Sequence, residues 1–174
     1  METTVDHIDD LEELFHHKLA QQYYIEEELV GTLDEMAINA TNDRLSDGFA
    51  DHRDETRTQV RRLEDVFAAL DRPAERRDAP ILDALEEERP MLENAIEDDD
   101  LRNMVYLNAG MMTERIEMTA YEGLTSIAGQ IGYDDEIRKP LASNHDEEKA
   151  AYRELSAMET AADMKPLWDR LTPS

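Results

Sequence analysis

Apolar residues recur at three- and four-residue steps along most of this chain, and no stretch alternates apolar and polar residues with β-branched enrichment. That pattern predicts helices and no sheet. A first helix is expected from about Asp6 to Ala40, with Leu11, Phe15, Leu19, Gln22, Glu26, Leu29, Leu33 and Met36 on one face, before the stop signal at Asn39-Ala-Thr-Asn42. A second, from about Asp43 to Leu70, carries Leu45, Phe49, His52, Thr56, Gln59, Leu63, Val66 and Leu70 on its inward stripe and ends at Asp71-Arg-Pro73. Between Pro73 and Pro80 runs a polar connection. Beyond it Ile81, Leu82, Leu85, Met91, Leu92 and Ile96 mark a shorter helix interrupted by Pro90. The acids at Asp98-Asp-Asp100 suit a helix N-terminus and open a long helix from about Asp99 to Gln130. Its stripe runs through Met104, Leu107, Met111, Glu114, Met118, Tyr121, Thr125 and Ala128, and it closes at Gly132. A last helix from about Asp134 to Ala162 is expected to bury Ile137, Leu141, His145, Glu148, Tyr152, Leu155 and Met158, with a kink or restart at Pro140. The tail from Met164, with Trp168, has no assignment.

Two long helices, a crossover helix and two more long helices form the connectivity of a ferritin-like bundle. At about 1.5 Å per residue each long helix spans roughly 40 Å. The expected fold class is all-α, a ferritin-like four-helix bundle with an additional short crossover helix. Residues 1–174 form one domain on this reading.

The chemistry lies where polar residues interrupt the inward stripes, because a buried carboxylate costs several kcal/mol unless something positive compensates it. Glu26 breaks the first helix near its middle. His52 and Glu55 stand three apart on the second, Glu114 and Glu117 repeat that spacing on the fourth, and His145 with Glu148 does so on the last. An acidic composition alone places some carboxylates on any stripe, but it does not call for them at mid-height on all four long helices, where this chain carries them. Such a set matches a dinuclear carboxylate centre, with Glu26, His52, Glu55, Glu114, Glu117 and Glu148 as metal ligands. Carboxylate and imidazole suit iron or manganese, with zinc as a further occupant. Tyr23, Tyr24 and Tyr121 are candidates to donate hydrogen bonds around it.

Composition narrows the picture. The formal net charge is −25, from 43 acidic against 18 basic residues, and only four of the basic residues are lysines. Self-repulsion on that scale is relieved when salt shortens the Debye length to about 3 Å at 1 M, which predicts a haloarchaeal or similarly halophilic source. The same charge argues against nucleic acid and anionic membranes as partners. Cysteine is absent, so any metal is held by oxygen and imidazole. With neither a basic leader nor a run of roughly 20 apolar residues, the expected location is cytoplasmic. There is no Gly-x-Ser-x-Gly elbow and no phosphate-cradling glycine loop, which sets hydrolytic chemistry aside.

From about Leu11 to Leu155 the chain resembles the bacterial YciE/YciF family of ferritin-like stress proteins. Tyr24-Ile-Glu26-Glu-Glu-Leu29 is similar to that family's Ala-Glu-Lys-Gln-Leu segment. Phe49-Ala-Asp-His52-Arg-Asp-Glu55-Thr56, with Arg62-Leu-Glu-Asp-Val-Phe67, resembles its Phe-x-x-His-x-x-Glu-Thr and Arg-Leu-Glu-x-Val-Phe pattern. Glu114-Arg-Ile-Glu117-Met-Thr-Ala-Tyr121 resembles its Glu-His-x-Glu-Ile-Ala-x-Tyr motif, and Glu147-Glu148-Lys-Ala-Ala its Glu-Glu-Lys-Ala-Ala-Asp run. The chain departs from the pattern at Arg115, which replaces the motif histidine, at Tyr152, where Asp is usual, at Gln59, where many members carry His, and at His145, normally apolar. An incomplete shell would mean weak or single-metal binding. The resemblance implies a ferritin-like fold, a homodimer and a stress role. The metal reading extends to ferrous oxidation or peroxide decomposition. The alternative is a non-catalytic dimeric bundle with a degenerate metal site that acts through protein interactions, in which an arginine such as Arg115 replaces the metal's charge by pairing with Glu114 or Glu148.

Overall fold

The structure is a computed structural model that describes residues 7–160. Five helices follow one another: α1 (Leu11–Asn39), α2 (Asp43–Ala69), α3 (Pro80–Ala95), α4 (Asp99–Ile131) and α5 (Asp135–Thr160). No strand occurs among the described residues. The fold is the expected ferritin-like four-helix bundle with a crossover helix. Its ends are set by local chemistry. Asp10, Asn42 and Asp98 are N-caps whose side chains accept from the backbone N–H three residues on, Glu13 at 2.8 Å, Leu45 at 3.1 Å and Leu101 at 3.1 Å. Thus α1 starts at Leu11 and not near Asp6, because Asp10 supplies the cap. At the far end of α4, Gly132 adopts φ 89° and its N–H returns to the Ala128 carbonyl at 3.1 Å, a left-handed cap that glycine adopts without a Cβ clash.

The four long helices pack in a ring, α1 on α2 and α4, and α5 on α2 and α4. Their apolar stripes form two clusters separated along the bundle axis. One gathers Phe15, Leu19, Leu63, Val66, Tyr121, Leu124, Ile137 and Leu141; the other gathers Ile25, Leu29, Leu33, Phe49, Leu107, Leu155 and Met158. Between these clusters every long helix turns a polar side chain inward: Gln22 and Glu26, His52 and Gln59, Glu114 and Glu117, Asn144 and Glu148. A polar band sealed above and below by apolar packing is the frame of the candidate site.

Two expectations for the helices change. α3 runs through Pro90 and α5 through Pro140 as single elements. Each proline leaves one carbonyl without its N–H partner, which is a smaller loss than ending the helix. The face of α3 also differs: Leu82 is buried, whereas Ile81 and Met91 are 58% and 70% exposed. α3 is held instead by polar contacts. Its buried Arg89 reaches Glu93 at 2.6 Å, Glu35 of α1 at 2.9 Å and Glu86 at 3.3 Å, and Thr32 of α1 donates to Glu86 at 2.7 Å. The α5 expectation to Ala162 and the tail from Met164 lie partly or wholly outside the described residues. No helix among the described residues is long and apolar enough to cross a membrane.

Leu63 is fully buried in the first cluster. Leu63→Ala is expected to lower unfolding stability by about 2–5 kcal/mol, read from urea denaturation in molar KCl, because the packed helices only partly close the cavity left behind.

Candidate metal centre

At mid-bundle, one ligand atom each from His52, Glu114, Glu117 and Glu148 lies within 4.8 Å of the others, and all four residues are buried. Three helices supply them: α2 the imidazole, α4 two carboxylates one turn apart, and α5 the third. His52 Nε2 stands 3.0 Å from Glu114 Oε1 and 3.5 Å from Glu148 Oε2. Its Nδ1 faces Glu55 Oε2 at 3.5 Å. Glu55, 39% exposed, therefore sits behind the ring and not within the cluster. Glu26 is fully buried beside the cluster, where its Oε1 accepts hydrogen bonds from Tyr121 and from Gln22 at 3.2 Å. The Gln22 amide also donates to Glu117 Oε1 at 3.3 Å, so one side chain ties the two carboxylates together.

Burial dominates the electrostatics. It pushes Glu26 from 4.5 up to about 7 against the hydrogen bonds of Tyr121 and Gln22, which favour the carboxylate. It raises Glu117 and Glu148 well above the usual carboxylate range, with the neighbouring glutamates adding to the shift. For His52, burial alone would favour the neutral ring, but Glu114, with Glu55 and Glu148, overcomes it and raises the imidazole well above 6.5. Burial and Glu26 raise the Tyr121 phenol too, so its O–H remains a donor. Protons on this cluster thus stand in for positive charge that a divalent cation would supply.

The oxygens fit such a cation. Glu26 Oε2, Glu114 Oε2 and Glu148 Oε2 are buried without a hydrogen-bond partner, a costly arrangement in a dry interior. One imidazole with several carboxylates is a donor set for iron, manganese or zinc. A cavity of about 240 Å³ lined by Gly48, Phe49, His52, Glu55, Glu114 and Leu155 leads to the cluster from the α2/α5 side.

Of the six residues predicted from sequence, four converge, Glu26 adjoins them, and Glu55 backs the histidine. His145 does not join: its Nε2 faces Glu122 at 3.3 Å and its Nδ1 faces Asp146 at 3.4 Å. The position it was expected to fill belongs to Asn144, fully buried, whose amide donates to Tyr121 Oη at 2.8 Å. Nor does Arg115 pair with Glu114 or Glu148. It is exposed, bonds to the Tyr152 hydroxyl and lies over that ring at 4.6 Å, so Tyr152 is drawn to the surface as its partner.

A sequence-family model described as a domain of unknown function, DUF892, matches residues 10–164. The chain belongs to this family. It is 28% identical over 141 residues to Protein YciF of Escherichia coli strain K12, covering 80% of this chain and 84% of that protein. The crystal structure of YciF, described as an E. coli stress protein, superposes with a TM-score of 0.81 at 27% identity over 87% of this chain and 95% of that one. YcfI of Rhodopseudomonas palustris superposes with a TM-score of 0.84 at 31% identity, covering 91% and 99%. The family membership and the fold agree with the resemblance read from the motifs.

Glu26, Glu117, Glu148 and His52 all hold protons more tightly when folded than when unfolded. Each therefore contributes stability that is complete below its unfolded pKa and lost as pH rises through its folded one; for Glu26 that window runs from 4.5 to about 7. Metal-stripped protein in molar KCl should melt at progressively lower temperature as pH is raised from about 5 to about 8. Glu26→Gln, which keeps the shape of the protonated acid, should flatten the part of that decline near neutrality. A melting temperature that climbs with pH across the window would contradict the assignment.

Proposed function

We propose that this chain is a metal-binding member of the stress-protein family, holding iron or manganese in the mid-bundle carboxylate cluster, with zinc as an alternative occupant. The observation that carries this reading is the buried convergence of His52, Glu114, Glu117 and Glu148 with unpartnered carboxylate oxygens among them. In the proposal these four are the ligands, and Glu26 supplies a further carboxylate at the edge of the shell. Glu55 accepts from Nδ1 of His52, which selects the tautomer that presents Nε2 to an ion and orients the ring. When bound, iron or manganese would supply one-electron chemistry suited to oxidising ferrous ions or decomposing peroxide. The residues around it would do the rest: Tyr121 and Gln22 keep Glu26 in place, the apolar clusters exclude bulk water, and the α2/α5 cavity admits a small solute. The interaction-only reading loses the observation that favoured it, since Arg115 brings no charge to the carboxylates. The proposal includes a homodimer in a salt-rich cytoplasm.

Protein purified without chelator or histidine tag in multimolar KCl should carry stoichiometric iron or manganese by elemental analysis. His52→Ala and Glu148→Ala should lose it. Glu55→Gln should retain it with roughly 10–100-fold weaker affinity, the effect of removing a group that orients a ligand. Wild-type metal content in both alanine variants would remove this site assignment.

A further inference from the structure

We propose that the centre takes a single ion, at its His52 end, because the side-chain amides of Gln22 and Gln59 already donate to the carboxylates that a second ion would need. The inference rests on the metal reading above and fixes its stoichiometry against the two-ion form that the sequence predicts.

The hydrogen-bond donors are distributed unevenly across the band. Glu114 Oε1 meets His52 Nε2 at 3.0 Å, and its Oε2 has no hydrogen-bond partner. On the other side, one oxygen of each carboxylate already takes a neutral donor, while Glu148 turns its other oxygen to His52 at 3.5 Å and Glu26 Oε2 has no hydrogen-bond partner. Gln22 bonds both Glu26 and Glu117, Tyr121 bonds Glu26, and Gln59 bonds Glu148 and, at 3.2 Å, Glu147. A donor N–H aimed at a carboxylate oxygen occupies the direction from which a cation would approach it. These donors supply in part the compensation that a second ion would otherwise have to give.

The ligand types are equally one-sided. A second ion needs its own nitrogen or carboxylate from α2 and α5, as the two-ion carboxylate bundles have. Seven residues beyond His52, about two turns along α2, stands Gln59, and facing it on α5 is Asn144. Both side chains are amides whose N–H groups are committed, although Gln59 Oε1 has no hydrogen-bond partner. Asn144 donates to Tyr121 and, at 3.4 Å, to the Gln59 carbonyl, and its own Oδ1 accepts from Arg62 at 3.0 Å. The Arg62 guanidinium also pairs with Glu147 at 2.5 Å, and that carboxylate accepts from Gln59, so the amides are held from behind. The cavity lined by His52, Glu55 and Glu114 touches neither Gln59 nor Asn144, and Gln22 faces a separate cavity of about 440 Å³ walled mainly by apolar residues of α1, α3 and α4.

The test is titration of metal-stripped wild-type protein with Mn(II) in molar KCl, reading bound manganese per chain together with the low-temperature electron paramagnetic resonance spectrum. One ion per chain with the six-line pattern of an isolated Mn(II) is the expected result. Two ions per chain with an exchange-coupled, more finely split spectrum would overturn the inference and leave the metal reading standing; no bound manganese would remove both. In a second arm, Gln59→His replaces the closing amide with a nitrogen ligand and should raise the count to two and bring in the coupled spectrum. A folded Gln59→His protein that still binds one isolated ion would overturn the role given to Gln59. The wild-type count stands as the test even where that variant does not fold.

Discussion

The constraint on which this structure turns is the cost of removing four glutamates from water in the middle of one small bundle. Glu26, Glu114, Glu117 and Glu148 are each at most 1% exposed, and a buried carboxylate without compensation costs several kcal/mol. The chain meets that cost in three ways. It raises the carboxyl pKa values of Glu26, Glu117 and Glu148, it places a histidine whose own pKa is raised between Glu114 and Glu148, and it aims neutral donors at one oxygen each of Glu26, Glu117 and Glu148. A divalent cation would replace the first two at once. Nothing in ordinary core packing calls for four acids at the same height, which is why the cluster reads as a site and not as an accident of an acidic sequence.

The rest of the fold serves this band. Apolar clusters on both sides keep it dry and keep the four helices parallel enough in height for their polar residues to meet. The crossover helix lets α2 and α4 run in the same direction, so that His52 and Glu114 lie at the same end while Gln59 and Tyr121 lie at the other. Arg89 pins that crossover to α1 through Glu35 and shares its charge with Glu86 and Glu93. The surface is of a different kind: its acids are spread along the chain and give the net charge of −25, an arrangement whose repulsion falls steeply with salt.

Much of the site could be read from the sequence because a helix repeats every 3.6 residues. A carboxylate that falls on an otherwise apolar stripe points into the core, and Glu26, Glu114, Glu117 and Glu148 all do so. The same arithmetic failed by one residue on α5. Counting from Glu148, His145 at three residues and Asn144 at four are equally compatible with the stripe; packing chose the amide, and the acids Glu122 and Asp146 took the imidazole. Asn144 carries no charge to draw notice, and only its contacts with Tyr121 and Gln59 show its part. Arg115 was misplaced for a related reason: adjacency in sequence to Glu114 turns it about 100° around the helix, out to Tyr152. The exposed apolar face of α3 was not legible, because its position depends on polar contacts between distant segments.

The central claim is that the buried cluster is completed by a metal ion, and thermal unfolding in multimolar KCl, with excess chelator or with saturating Mn(II), tests it most directly. A ligand that binds only the folded state must stabilise it, so Mn(II) at a hundredfold above its Kd should raise the melting temperature by roughly 5–10 °C. Identical melting curves with chelator and with Mn(II) would mean that protons and amides alone settle the charge of these four glutamates, and would contradict the account.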